Sequence, residues 1–421
     1  MARTGTNLEA VAEFNVSVVL DAVRRRPAGV ARSELITLTG LSGMTVSNVC
    51  RRLVEDGLAT ETVLPATGRG KPPKILRLNP DGGFAVGVHI DPAVVTYVVV
   101  DLAGAVRHHL RTRTPTVRDP AKVVGEMASA VDDLLAQSSV DRTRVLGIGI
   151  AAPGPIDAAA GVVINPPMLP DWHTVHLREA LSAATGMPVL LEKDATAAVV
   201  AELWFAEPEG SRDFVFVYYG TGFAAGIASG GDVLRGFSSN AGDAGHLTVD
   251  PTGPVCWCGR RGCVGNMTVP RALVERAVER SVLPRASAGN MDDVLDVGEA
   301  FGRLADAVDA GDAVAVKIFT EAVEALARAV VVIANFLDIE EVVFGGPFWD
   351  RMAPLALSVL PQAVLEDRAL VLPHKIRFAE SSVPVDVAAV GAATLVLDEA
   401  FSPRPRSLLL TAPAEVEGGL A

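Results

Sequence analysis

Residues 240–266 read NAGDAGHLTVDPTGPVCWCGRRGCVGN and hold three of the chain's four cysteines, Cys256, Cys258 and Cys263, with His246 upstream of them. Thiolates and an imidazole in one short, glycine-rich segment form the donor set of a tetrahedral Zn²⁺ site with no open position. The single-residue gap in Cys256-Trp257-Cys258 is tighter than usual zinc-finger spacing. A second reading therefore stays open, a disulfide plus a spare thiol, which a reducing cell interior disfavours. Either way the segment orders a loop and fixes His246 and the preceding Asp243. Cys50 stands apart and reads as an ordinary thiol.

Working outward, 421 residues exceed one ordinary domain and suggest two or three. With 49% apolar residues, the chain has the composition for a large core. It has no run of eighteen apolar residues and no apolar signal core after its first charges, so a soluble cytoplasmic protein without membrane contact is expected. The formal charge of −13 is uneven: residues 1–80 carry +4 and residues 81–421 carry −17. A basic head on an acidic body predicts that only the head meets a polyanion.

In the head, residues 8–26 have apolar positions at helical spacing and stop before Pro27 and Gly29. A short helix around Ser33–Thr39, a turn at Gly40-Leu41-Ser42 and a helix from Gly43 to Asp56 follow, with Ser42 as N-cap and Gly57 as terminator. Packing by Leu35, Leu38, Leu41, Val46, Val49 and Leu53 leaves Thr45, Ser47, Asn48, Arg51 and Arg52 on an outer face. Those residue types suit a recognition helix in the DNA major groove. Residues 58–80 read as two strands flanking a tip with Arg69 and Lys71, a wing able to reach phosphates or a minor groove. The competing reading is a small helical protein-interaction domain with a solvated charged face.

From Gly82 onward, apolar strands alternate with helices in two similar sets, each a meander followed by helices. That pattern predicts an α/β body of two lobes with a cleft between them. Winged helix, two-lobed body, GDAGH (242–246) and CWCGRRGC (256–263) together resemble the ROK family of repressors, open reading frames and sugar kinases. The chain is most similar to its transcriptional-regulator branch, which includes N-acetylglucosamine and xylose repressors, and the resemblance spans residues 8–400. It implies an actin/hexokinase-like fold, a structural Zn²⁺ on His246, Cys256, Cys258 and Cys263, and a sugar pocket between the lobes. The expected domains are a winged helix-turn-helix at 1–80, a ROK sugar-kinase-like body at 81–402 and a loose tail at 403–421.

The resemblance also says where to look for kinase activity. ROK kinases open the body with a strand ending in Asp, one residue, then Gly-Gly-Thr. Here that run is Gly87-Val88-His89-Ile90-Asp91-Pro92-Ala93, so the carboxylate is replaced by His89 and the glycines by Asp91 and Pro92. A carboxylate and a residue without N–H cannot cradle phosphate. The second loop, Gly220–Gly226, and Gly345-Gly346 are kept, but no ATP or Mg²⁺ is expected. The family's sugar-binding Asn-Asp pair is Lys193-Asp194, with Asp194 in the general-base position as a hydroxyl acceptor. Its Glu before Gly-His is Asp243, and its Glu after the last cysteine is Gly265. Lys193 and Gly265 make the pocket more positive, which favours a phosphorylated or acidic sugar; the bland alternative pairs Lys193 with Glu192 or Asp194. Expected ligand contacts are thus Lys193, Asp194, Asp243 and His246. The function implied is a sugar-responsive repressor that reads a palindromic double-stranded DNA operator as a homodimer or dimer of dimers. The alternatives are an ATP-dependent sugar kinase and a regulator controlled by a protein partner.

Overall fold

The Ala10 N–H donates to the Asn7 side chain at 2.8 Å and opens α1 (Leu8–Arg24). The computed structural model describes residues 7–63, 74–115, 119–166, 172–206 and 210–403. They fall into two units: residues up to Phe84 with Asp101–Ala105 and the chain from Leu397, and Ala85–Val100 with Val106–Val396.

In the first unit, α1 is followed by β1 (Val30–Ala31), α2 (Arg32–Thr39), α3 (Gly43–Glu55), β2 (Ala59–Val63) and β3 (Lys74–Leu78). The local signals act as expected. The Ser42 side chain accepts the Thr45 N–H at 3.2 Å to cap α3, and Gly57, at φ +73°, takes the left-handed conformation after its last turn. The strands form one antiparallel sheet in the order β1-β3-β2. Its core holds Leu20, Val23, Leu35, Val46, Val49, Cys50, Leu53 and Leu76. Leu38, expected in that core, is 43% exposed. It lies in the last turn of an eight-residue helix in which Leu35 is the buried residue.

The second unit repeats one plan twice. The first half runs β4 (Phe84–Ile90), β5 (Val94–Asp101), β6 (Val106–Arg113), α4 (Pro120–Ser138), β7 (Val145–Ala152), the short strands β8 (Ile156–Asp157), β9 (Val162–Ile164) and β10 (Thr174–Val175), then α5 (Leu177–Thr185), β11 (Val189–Lys193) and α6 (Asp194–Phe205). The second half runs β12 (Phe214–Tyr219), β13 (Phe223–Ser229), β14 (Asp232–Val233), α7 (Val264–Thr268), α8 (Pro270–Glu279), α9 (Val294–Asp309), α10 (Ala313–Leu337), β15 (Glu341–Gly345), α11 (Trp349–Leu365), β16 (Arg377–Glu380) and α12 (Val387–Phe401). The main sheets are ordered β6-β5-β4-β7-β11 and β14-β13-β12-β15-β16, strand for strand the same scheme. In each, a meander is extended by parallel strands, as β7–β11 and β12–β15–β16 show.

Two small-residue helices join the halves. A Cβ at Gly87 in β4 or Gly149 in β7 would overlap the carbonyl oxygens of Ala389 and Ala392 in α12. At Gly226 in β13 it would overlap Ala195 O in α6, and at Gly391 in α12 it would overlap Ala197 O of α6. Helix α12 thus lies on the first sheet, α6 on the second, and the two helices touch backbone to backbone. Among the described residues, no helix is long and apolar enough to cross a membrane.

This packing predicts opposite signs for two Gly→Ala changes. Gly149→Ala should cost about 2–3 kcal/mol by overpacking against α12. Gly125→Ala, in α4 with nothing within 4 Å of the added methyl, should stabilise by about 0.5–1 kcal/mol. Urea midpoints of both variants check this; equal midpoints would show that α12 has room to step back.

Candidate metal centre and ligand floor

Between β14 and α7 the chain folds back on itself twice. Thr248 bridges to Cys263 and Val255 to Arg261. The Cys256 N–H donates to Arg260 O at 2.7 Å, and the Gly259 N–H closes a turn on Cys256 O at 2.9 Å. The Val264 N–H donates to Leu247 O at 2.8 Å, which brings the start of α7 beside the residue after His246. These ties gather one nitrogen of His246 and the Sγ atoms of Cys256, Cys258 and Cys263 to within 4.8 Å of one another. Cys256 Sγ lies 3.6 Å from His246 Nδ1, and Cys258 Sγ lies 3.7 Å from Cys263 Sγ. A tetrahedral ion with bonds of about 2.0–2.3 Å needs ligand atoms about 3.5–3.8 Å apart, so the donor set fits such an ion. The three thiols are unpaired. Burial, with the neighbouring thiols, pushes the Cys263 thiol up to about 12, whereas the Arg260 N–H holds exposed Cys258 below its ordinary value. Nδ1 faces the sulfurs, and the edge of the His246 ring meets Trp257 at 4.7 Å between centroids.

Lys193 and Asp194, two of the residues expected to contact ligand, lie beside the chain leading into this knot. Lys193 ends β11, is 5% exposed, and its Nζ donates to Asn240 O and Ala241 O at 3.3 Å each. Its neighbour Glu192 pairs instead with Arg235, Nε to Oε2 at 2.5 Å. That geometry replaces the Lys193–Glu192 pairing considered from the sequence. Asp194 opens α6; burial pushes its carboxyl up, the Ala195 N–H at 2.6 Å and Lys193 oppose, and the charge of Asp243 adds to the rise. Gly265 stands where the family carries a Glu. Its N–H donates to Gly245 O at 2.9 Å, and a Cβ there would come within 3.0 Å of that oxygen, tighter than most real contacts.

Sequence reasoning missed Asn240, the first residue of the quoted stretch. Its Nδ2 donates to Ile156 O at 2.7 Å, and its Oδ1 accepts the Ile156 N–H at 2.9 Å. A single amide therefore fastens the metal loop to the strand following β7. The signal was an Asn in a glycine-rich run, but its partner lies 84 residues away.

The first loop is occupied by its own side chains. Burial lowers His89 to about 4, with Asp386 opposing, and its Nε2 lies 3.4 Å from the Tyr218 hydroxyl. Burial raises Asp91 to about 6; the Ala93 N–H at 2.9 Å opposes, Asp194 adds to the rise, and the Thr221 hydroxyl opposes. A carboxylate thus bridges the turn after β4 to the turn after β12.

On α3, Asn48, Arg51 and Arg52 are exposed, and Thr45 and Ser47 are half-buried. Arg51 donates to Asn48 Oδ1 at 2.6 Å, whereas Arg52 makes a two-pronged contact with Glu13 of α1 at 2.8 and 3.1 Å. Arg69 and Lys71 lie outside the described residues.

Duplicate meander-led sheets joined by packed helices define a two-part α/β protein of the actin/hexokinase type. The ROK family model matches residues 85–399, and the chain belongs to the ROK family. The xylose repressor of Caldicellulosiruptor bescii is 27% identical over 320 residues, 75% of this chain and 79% of that protein. The glucokinase of Thermotoga maritima is 33% identical over 257 residues, 59% of this chain and 78% of that protein. Among solved structures, a ROK family transcriptional regulator described as a homologue of the Escherichia coli Mlc protein matches with a TM-score of 0.76 at 22% identity. That match covers 94% of this chain and 98% of the other.

Asp91 makes a pH-dependent contribution. Between its ordinary value near 3.8 and about 6, the folded chain holds a proton that the unfolded chain releases, so stability falls as pH rises through that window. Asp91→Asn should therefore match wild type below pH 4 and be more stable above pH 6. Tm against pH for the two proteins measures it, and a gap that does not change with pH would exclude Asp91 as the source.

Proposed function

We propose that the protein is a sugar-responsive transcriptional repressor of the cytoplasm. In this reading residues 1–80 are a winged helix-turn-helix that binds double-stranded DNA. Residues 81–402 are a ligand-sensing body and not a working kinase. The observation that carries it is coverage: among solved structures, the likeness to a ROK transcriptional regulator spans 94% of this chain, while that to a ROK glucokinase from Streptomyces griseus spans 74%. The head is thus part of the likeness to a regulator.

Helix α3 is the recognition element, with Thr45, Ser47, Asn48 and Arg51 toward bases or backbone and Arg69 and Lys71 on the wing. Arg52 acts first as the clamp to Glu13, which holds α3 against α1, and contacts phosphate secondarily. Two copies reading a pseudo-palindrome would need half-sites spaced by whole helical turns.

The effector rests on Lys193, Asp194, Asp243 and His246. Two N–H groups of the Lys193 ammonium are directed to carbonyls, and the third remains for an anionic or hydroxyl group of the ligand. That favours a phosphorylated or acidic sugar. Zn²⁺ on His246, Cys256, Cys258 and Cys263 supplies a structural cross-link that holds the loop carrying Asp243. Nucleotide binding is disfavoured by His89, Asp91 and Pro92. The positioning and charge neutralisation that phosphoryl transfer requires are missing from that turn.

Two outcomes are expected. The purified chain should carry one zinc per molecule, lost in Cys256→Ser and Cys263→Ser, with Tm falling on chelation; a zinc-free protein indifferent to chelator would refute the metal assignment. Binding of the full chain to a mapped operator duplex should weaken linearly in log–log plots against salt, and Arg51→Gln should lower that slope by about 1. A salt-independent affinity, or none, would remove the DNA-binding reading.

A further inference from the structure

Helix α3 turns one side to the core of the first unit and the opposite side to solvent. With about 3.6 residues per turn, Val46, Val49, Cys50 and Leu53 share one side, and all are buried. Met44, Ser47, Asn48 and Arg51, at i, i+3, i+4 and i+7, line the side opposite. Thr45 and Arg52 fall on the flank between the two, and both are engaged there. The Thr45 and Ser42 hydroxyls lie 2.9 Å apart, and Arg52 holds Glu13 of α1.

Of the four side chains on the outward line, Met44 is the apolar one, and it is 78% exposed. It stands second in the helix, in the turn that Ser42 caps. Charge says which end of α3 can approach a polyanion. Residues 1–80 carry +4, whereas Glu55 and Asp56 close the far end of α3. The N-terminal end, where the helix dipole is also positive, is therefore the one suited to DNA, and Met44 stands at its front. Behind it, Arg51 donates to Asn48 Oδ1, so the Asn48 amide offers its Nδ2 hydrogens. An apolar group followed by hydrogen-bond donors on one line matches a single kind of base edge. In the major groove, thymine alone sets a methyl group beside an acceptor, its O4. The flexible, polarizable thioether chain of methionine can follow such a methyl.

We propose that Met44 is a specificity-determining residue of the DNA head, covering the C5-methyl group of one thymine in each half-site while Asn48 and Arg51 meet the edges beside it. The inference deepens the DNA-binding reading above and rests on it. It gives operator choice an apolar component that phosphate contacts do not supply.

The test begins with an operator that the full chain selects from a pool of random-sequence duplexes. Each thymine of one half-site is then replaced singly by uracil, which lacks only the methyl group. Wild type should lose about 3- to 5-fold in affinity at one of these thymines, the worth of one buried methyl. Met44→Ala should bind the all-thymine operator more weakly and be indifferent to uracil at that position. Its slope of affinity against salt should match wild type, because no phosphate contact is lost. Met44→Leu should keep the uracil sensitivity. A wild type insensitive to every uracil, or a Met44→Ala variant as sensitive as wild type, overturns the inference while the salt slope still upholds DNA binding. So does a changed oligomeric mass in Met44→Ala with unchanged operator affinity, which would join Met44 to the partly exposed Ile36 and Leu38 of α2 as an assembly face. If the chain selects no duplex, the DNA-binding reading falls and takes this inference with it.

Discussion

Backbone contact between α6 and α12 is the constraint on which the body depends. Four glycines, at 87, 149, 226 and 391, remove the side chains that would hold these helices off the sheets and off each other. At such separations the helices gain dense van der Waals contact and lose the side-chain slack that would absorb small shifts. The first residue of α6 is Asp194, and Lys193 immediately precedes it. The Asp194 carboxylate is therefore placed directly by this close-packed joint, with no loop in between.

The loop carrying His246 and the end of β11 are joined by short polar ties. Asn240, Lys193 and the Arg235–Glu192 pair converge on one loop, and the same loop continues through Asp243 to His246. Each tie is charge-assisted or doubly hydrogen-bonded, and each is at least partly shielded from water, where such bonds are worth most. The first loop shows the same economy. With Asp91 bonded to the Ala93 N–H and reached by Thr221, the turn is completed by the chain's own carboxylate.

Much of this could be read from the sequence where the determinants are local. Helix α3 begins and ends within a residue of expectation because Ser42 and Gly57 are signals written next to the helix itself. The donor set at His246, Cys256, Cys258 and Cys263 converges as its residue types require. Determinants that depend on distant partners were not legible. Strand β1 is two residues long and exists only because β3 pairs with it. Glu192 lies beside Lys193 in sequence, yet its ion-pair partner is Arg235, 43 residues away. The alanine-rich stretches 194–201 and 387–396 did carry a hint of close helix packing, but composition alone does not say against what. Arg52 has the residue type of a phosphate contact, and only the fold reveals Glu13 beside it.

The orientation of His246 has a last consequence. Its Nδ1 is turned to the sulfurs, so a metal bound there takes the lone pair at that atom and leaves the hydrogen on Nε2. With a metal held there, the Nε2 edge of the ring would be a hydrogen donor only, and any group meeting that edge would have to offer it a lone pair.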